Sequence, residues 1–426
     1  MAHDPDDLND FAAPGAAGAS GDATDVDASV AATLQRLPRT RQAILDGVRA
    51  GLHLGAQLYV SRHGTVIADA AAGDSRPGQP LRRDDLMLWL SSTKPVAAVA
   101  IAQLWERGRL ELDDPVARHI PEFAANGKGA ITLRHLLTHT AGIRLLNVGW
   151  PQDGWDAIIA RIAAMRPEPR WVPGRKAGYH HASSWFLLGE VVRRLDGRPF
   201  SGYAREEIFA PLGMLDSWIG MPVETYRELR EQGRICPLYD TAGSAGGAGG
   251  APVPQGWDSE AWCTGTHPGG NGYGPISQLG RFYEMLLARG QIPGAGGAAA
   301  RRILSPQAVE AATARHRAGM LDHTFQHVLD WGLGFILDSR QYGADTVPYG
   351  YGNHASPRTF GHSGYRSSTA FADPEQGLAV ALAFNGTPTH EAHERRIRTV
   401  LDALYEDLGL VAAAEAVPAA PVVPMS

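Results

Sequence analysis

The sequence predicts an α+β fold: an α/β lobe with an antiparallel sheet flanked by helices, plus a mostly helical lobe. Three observations carry that expectation. An early pair of β-like runs, AQLYVSR and TVIADAA, flanks His63-Gly64 and reads as a hairpin. A late pair, TAFADPE and LAVALAFN, flanks a second turn near the other end of the chain. Residues between 119 and 265 read as helices and loops. If the first and last runs share one sheet, the helical middle is an insertion, and the cleft between the lobes is where a small molecule sits.

The elements follow in order. Residues 1–30 are rich in Ala, Gly and Asp and should be a disordered acidic tail. A helix is expected from Thr40 to Leu52, then the hairpin. A nearly all-apolar helix runs from about Ser92 to Arg107, closed by Gly108. The sheet lobe is assigned 31–118 and 266–410. The helical lobe, 119–265, contains a flexible Gly/Ala stretch between Thr241 and Pro252, and a similar stretch starts at Gly294. A closing helix, Glu391 to Tyr405, places Ile397, Val400, Leu401 and Leu404 at helical spacing. Residues 411–426 read as a second loose tail.

Composition excludes several classes. The chain has 426 residues, 44% of them hydrophobic, enough for a large core. Its net charge of −6 is concentrated in the N-terminal aspartates (Asp4, Asp6, Asp7, Asp10, Asp22, Asp25 and Asp27), so the body is near neutral. No basic footprint for nucleic acid or an anionic membrane is present. The longest apolar run, Pro95 to Leu104, is too short to span a bilayer, and no secretory signal is read at the N-terminus. Cys236 and Cys263 fit neither a disulfide framework nor a metal spacing, and read as reduced thiols of a cytoplasmic protein. No cofactor and no metal are expected, and nothing in the sequence sets the oligomeric state.

The chemistry centres on Ser91-Ser92-Thr93-Lys94, an S-x-x-K tetrad at the start of the apolar helix. A serine hydroxyl needs an adjacent base to act as a nucleophile. Residues three apart on a helix share a face, and burial disfavours a charged lysine, so Lys94 suits that role. Ser92 is not three before a lysine. Tyr179, in WVPGRKAGYHH, is a second candidate, since a tyrosine near a lysine ammonium can have its pKa lowered and can shuttle protons. Tyr351, in Tyr351-Gly352-Asn353, is its rival. The third element is His362-Ser363-Gly364. Here a glycine lets a substrate approach the backbone, and the N–H of Tyr365 can join that of Ser91 as an oxyanion hole. No G-x-S-x-G occurs, and His390-Glu391-Ala392-His393, expected at an exposed helix start, lacks the spacing of H-E-x-x-H. Trp150, Trp155, Trp257 and Trp262 suggest an aromatic-lined pocket.

Taken in order, these elements resemble the serine β-lactamase and penicillin-binding-protein superfamily, in particular its class C-related branch of β-lactamase-fold carboxylesterases and acyltransferases. The segments LMLWLSSTKPV, RGRLELDDPVARHIPEF, ITLRHLLTHTAGI, GYGPISQLGRFYEMLL and WGLGF extend the resemblance over about residues 40 to 410. It implies a β-lactamase/transpeptidase-like fold, acylation of Ser91 and deprotonation assisted by Lys94. It further implies Tyr179 as general base and proton shuttle, His362 in the catalytic third motif, His181, Ser363 and Gly364 against the substrate, and an oxyanion hole from Ser91 and Tyr365. His181 replaces the Asn or Ser usual in the family's second motif, and His362 replaces a lysine. The first change weakens recognition of a β-lactam, and the second removes a fixed positive charge, which favours a neutral or weakly charged ester or thioester donor. The expected activity is hydrolysis of small esters. Acyl transfer to an amine or alcohol, D-amino-acid peptidase or weak β-lactamase activity, and a non-catalytic binding role are the alternatives.

Overall fold

The computed structural model describes residues 34–411 apart from 145–146, 244–249 and 293–300. The acidic segment 1–30, the tail beyond Val411 and most of both Gly/Ala stretches lie outside the described residues.

The chain opens with helix α1, Pro38–Arg49, which begins two residues earlier than expected because Pro38 suits a first helical turn. It ends at Arg49, before the expected Leu52, where Gly51 turns at φ 69°. Strands β1 (Gly55–Arg62) and β2 (Thr65–Arg76) form the expected hairpin, extended by a short β3 (Gln79–Pro80). The apolar helix α2, Lys94–Glu106, starts later than expected, because Leu90–Thr93 form a separate 3₁₀ turn before it. Helix α3 (Ser183–Asp196) belongs to the helical middle, and α4 (Ile276–Leu287) returns the chain to the sheet. Then come β4 (Ile336–Leu337), β5 (Phe360–Gly364), β6 (Ser368–Asp373), β7 (Leu378–Phe384) and α5 (His390–Asp407).

The first and last segments do share one sheet. Its order is β4-β5-β6-β7-β1-β2-β3, with β7 antiparallel to β1 in the register Leu58 to Leu382. Both faces are covered, so these strands are apolar on both sides rather than alternating apolar with polar. In β7 the large side chains Leu378, Val380, Leu382 and Phe384 face one core with Ile44 of α1 and Ile397, Val400, Leu401 and Leu404 of α5. Ala379, Ala381 and Ala383 face the other core, which includes Ile276 and Leu279 of α4. Small residues on that face let α4 approach closely: a Cβ at Gly280 would lie 2.1 Å from the Tyr59 ring. The same core continues through α2, whose residues from Lys94 to Leu104 are all buried, into α3 and the helical middle. Helix α2 thus passes through the interior with its N-terminal turn beside β5.

Candidate active site

The turn that carries Ser91 is pinned from several directions. Trp89 is fully buried; its backbone N–H donates to Gly272 O (2.8 Å) and its indole N–H to Gly274 O (3.0 Å). Its carbonyl accepts from Ser368 Oγ of β6 (2.7 Å). Thr93 Oγ1 accepts from Gly272 N (2.9 Å), and Ser92 Oγ lies 3.1 Å from the His362 carbonyl and 3.0 Å from Ser368 Oγ. Ser92 therefore fastens the turn to β5 and β6. Between these anchors Leu90 sits at φ 48°, a left-handed conformation that a leucine adopts only when its surroundings hold it there.

The 3₁₀ geometry matters for the tetrad. Residues i and i+3 eclipse one another in a 3₁₀ turn, which brings Ser91 and Lys94 together more directly than an α-helical face would. Lys94 Nζ lies 2.9 Å from Ser91 Oγ and donates to Gly269 O at 2.8 Å. Its side chain is buried, while Ser91 is only half-buried and forms the accessible edge of the pair. Among the described residues no carboxylate pairs with Lys94; its other neighbours are the rings of Tyr179 (5.0 Å) and Trp185 (5.5 Å). Burial without a counter-charge holds its pKa well below the ordinary lysine value.

Tyr179 is buried, with its ring 5.0 Å from Lys94 Nζ and Ser91 among the groups that act on its phenol. The expected lowering of its pKa does not occur. Burial raises it well above the ordinary tyrosine value, outweighing the opposing effect of Ser91. Serine and tyrosine thus both neighbour the Lys94 amine. The rival Tyr351 is elsewhere: it donates to Ile336 O (3.0 Å) and packs on Phe371, in the core beneath α5.

His362 lies on β5 with its ring centroid 6.1 Å from that of Tyr179. Nδ1 is 2.9 Å from Ser363 O, which makes it the protonated nitrogen and leaves Nε2 a bare, buried acceptor. Burial first, then Lys94, holds this imidazole well below its ordinary pKa, so it is neutral. His181 packs edge-on to Tyr179 at 5.0 Å, and burial and then Lys94 lower it to about 4. Ser363 Oγ pairs with Thr369 Oγ1 (3.0 Å). Gly364 is needed for packing: a Cβ there would lie 2.5 Å from Trp89 O and 3.0 Å from Leu90 Cβ. That close approach packs Gly364 against the turn that carries Ser91.

Sequence reasoning missed several neighbours. His139, at φ 57° in the segment THTAG, is fully buried between Tyr179 (4.7 Å) and Trp331 (4.4 Å), and its Nδ1 accepts from His180 N (2.9 Å). Gly269 and His267 arrive on a loop that sequence alone places nowhere near residue 94. Three of the four tryptophans do form one group, with Trp262 against Trp150 (4.5 Å) and Trp257 (4.9 Å), and Trp150 against His267 (5.1 Å). Trp155 is separate and donates to Glu190 (2.7 Å). The motif does begin the closing helix, with His390 and Glu391 exposed, but His393 is buried and its Nδ1 accepts from Arg396 (2.9 Å). Among the described residues no group of three or more His, Cys, Asp or Glu is arranged to hold a metal ion, and no helix is long and apolar enough to cross a membrane. Cys236 and Cys263 are buried free thiols, each pushed up to about 12 by burial.

The β-lactamase family model matches residues 40–405, nearly all of the described chain. The protein belongs to the β-lactamase family. Relatives in that family include esterase EstB of Burkholderia gladioli, 28% identical over 369 residues, covering 78% of this chain and 86% of that protein. Another is the esterase/β-lactamase LipL of Mycobacterium tuberculosis, 28% identical and covering 78% of this chain and 77% of that one. Among solved structures, a family VIII carboxylesterase superposes with a TM-score of 0.70 at 27% identity, and a penicillin-binding-protein homologue from Caulobacter crescentus with 0.69 at 30%. Each alignment covers 87% of this chain and 97% of the other. As a β-lactamase-family protein with esterase relatives, the chain is a serine hydrolase.

Proposed function

We propose that the protein hydrolyses small, uncharged esters through an acyl-Ser91 intermediate, with Lys94 as base and Tyr179 as proton donor to the leaving group. The observation that carries this reading is the cluster around Lys94: its Nζ lies 2.9 Å from Ser91 Oγ and 5.0 Å from the Tyr179 ring. A lysine depressed by burial offers a lone pair, and a phenol raised by burial keeps its proton. The division of labour follows. As Ser91 Oγ bonds to the ester carbonyl carbon, its proton passes to Lys94. The resulting oxyanion faces the N–H groups of Ser91 and Tyr365. When the ester C–O bond breaks, the alkoxide takes the Tyr179 proton, and Lys94 returns its own to Tyr179. Water then repeats the sequence on the acyl-enzyme. Burial therefore favours Lys94 over Tyr179 for the base role.

Neutral His362 and His181 supply no fixed cation for a substrate carboxylate, which supports an uncharged ester, as do the esterase relatives. The test is a panel of short p-nitrophenyl esters against nitrocefin, with and without an added amine. Ester turnover well above nitrocefin turnover, abolished in Ser91→Ala, is expected. Nitrocefin turnover equal to or above that of the esters would overturn the ester preference. Amide formation that outruns hydrolysis when the amine is present would assign acyl transfer to the same acyl-Ser91.

A further inference from the structure

Tyr179 sits on a non-helical stretch just before α3, and a loop residue of that kind holds a phenol in place only if its backbone is fixed. The turn that follows residue 321 supplies the fixing. Asp322, fully buried, accepts at Oδ1 from the backbone N–H groups of Tyr179 (3.0 Å), Thr324 (2.9 Å) and Phe325 (3.1 Å). Thr324 Oγ1 donates to Tyr179 O at 3.1 Å, so both backbone polar groups of Tyr179 are held by this one turn. His323 N donates to Ala177 O (2.9 Å), and the Phe325 ring lies 4.9 Å from the Tyr179 ring.

The second carboxylate oxygen is taken by Arg317 at 3.1 Å. This guanidinium is itself buried, donates to Thr138 O (3.1 Å) and Leu329 O (3.2 Å), and lies over Trp331 at 5.0 Å. Thr138 precedes His139, whose carbonyl and Nδ1 accept from Gly178 N (3.0 Å) and His180 N (2.9 Å). The Tyr179 stretch is thus strapped on both sides, and the Arg317–Asp322 pair joins the two straps. A fully buried ion pair is a poor source of net stability, since its desolvation cost offsets most of its attraction, but it fixes direction and register.

We infer that Asp322, clamped by Arg317, is a positioning residue for catalysis: it holds the Tyr179 backbone so that the phenol stays beside the Lys94 amine and Ser91. The inference rests on the proposed role of Tyr179. It predicts that the effect of Asp322 is transmitted through one hydroxyl, which a double-mutant cycle in the full-length protein can read. Asp322→Asn should lower kcat on a p-nitrophenyl ester about thirtyfold while KM changes less than about threefold, as for a displaced catalytic group. Titration of Ser91 with a fluorophosphonate should still reach its full end point. In a Tyr179→Phe background the same substitution should cost less than about threefold, because the group it positions is gone.

An equal loss in both backgrounds would overturn the inference and leave Asp322 a residue of the fold alone. If Asp322→Asn gives no folded protein, Thr324→Val runs the same cycle, with about a threefold loss expected only when Tyr179 keeps its hydroxyl. Full activity in Tyr179→Phe alone would sink the proposed role of Tyr179, and this inference with it. An active Asp322→Asn beside a disabled Tyr179→Phe would sink only the inference.

Discussion

Two lysines of this protein have buried side chains, and their surroundings differ both in depth, Lys94 lying deep inside and Lys128 nearer the surface, and in hydrogen-bond partners. Lys128 donates to three carbonyls: Ala125 (2.7 Å), Ala163 (2.9 Å) and Met165 (2.6 Å). Lys94 has one carbonyl, Gly269, and one hydroxyl, Ser91. Burial lowers the pKa of both, and because it is deeper at Lys94, Lys94 is driven well below the ordinary value. An ammonium carries three donors, and three carbonyl acceptors hold its charged form. With one carbonyl and a hydroxyl that can itself donate, the amine has a low-cost neutral state. The first arrangement is a cross-link between chain segments; the second suits the base role proposed for Lys94.

The comparison is most exposed to failure at Lys94→Met. It should lower kcat on esters by about a thousandfold or more, as when members of one catalytic unit are removed. Its Tm should be no lower than that of the starting protein, because an apolar chain of similar length replaces a buried amine. A large fall in Tm would show that Lys94 is a structural cross-link after all. Tyr179→Phe comes next, with an expected loss of about a hundredfold in kcat and little change in KM, the range for one proton-transfer group.

Lys128→Met should give the opposite pattern. Three carbonyls lose their donor, at a cost of roughly 2–4 kcal/mol in unfolding free energy, while kcat per titrated active site stays within about twofold. Loss of activity without loss of stability would break the comparison from the other side.

The pH profile sharpens it further. In the proposed mechanism neutral Lys94 is the active form, so kcat/KM should fall as pH drops through its depressed pKa and should level off well below 10.5 as pH rises. The linked stability has a definite sign. Between the folded and unfolded values the unfolded chain binds the extra proton, so stability rises with pH across that window, and Lys94→Met should remove this contribution to the slope. The smallest effect is expected at the edge of the cleft. His181→Asn should raise nitrocefin turnover by less than about tenfold and leave ester turnover nearly unchanged, measured on the same enzyme stock.

The fold was legible because its signals are local. The hairpin at His63-Gly64, the paired runs before and after residue 376, and the spacing of Ile397, Val400, Leu401 and Leu404 each stand in a few consecutive residues. Boundaries slipped where a neighbouring constraint intervened, as at Pro38 for α1 and at the 3₁₀ turn before α2. For the site, Ser91 and Lys94 were legible because their spacing is itself the geometry. The partners that arrive from afar were not: Gly269 and His267 on one loop, His139 in a strained turn, and the Arg317–Asp322 pair behind Tyr179.

The sequence by itself determined which groups are present and their local order: a serine three residues before a lysine, a tyrosine well downstream, and a histidine where a lysine might have stood. Only the tertiary structure decided their protonation and their company. Desolvation depends on everything packed around a group, not on its neighbours in the chain. Burial therefore suits Lys94 to accept a proton and Tyr179 to keep one, and holds His362 neutral, while carbonyls hold Lys128 as a cross-link; none of these follows from residue type alone.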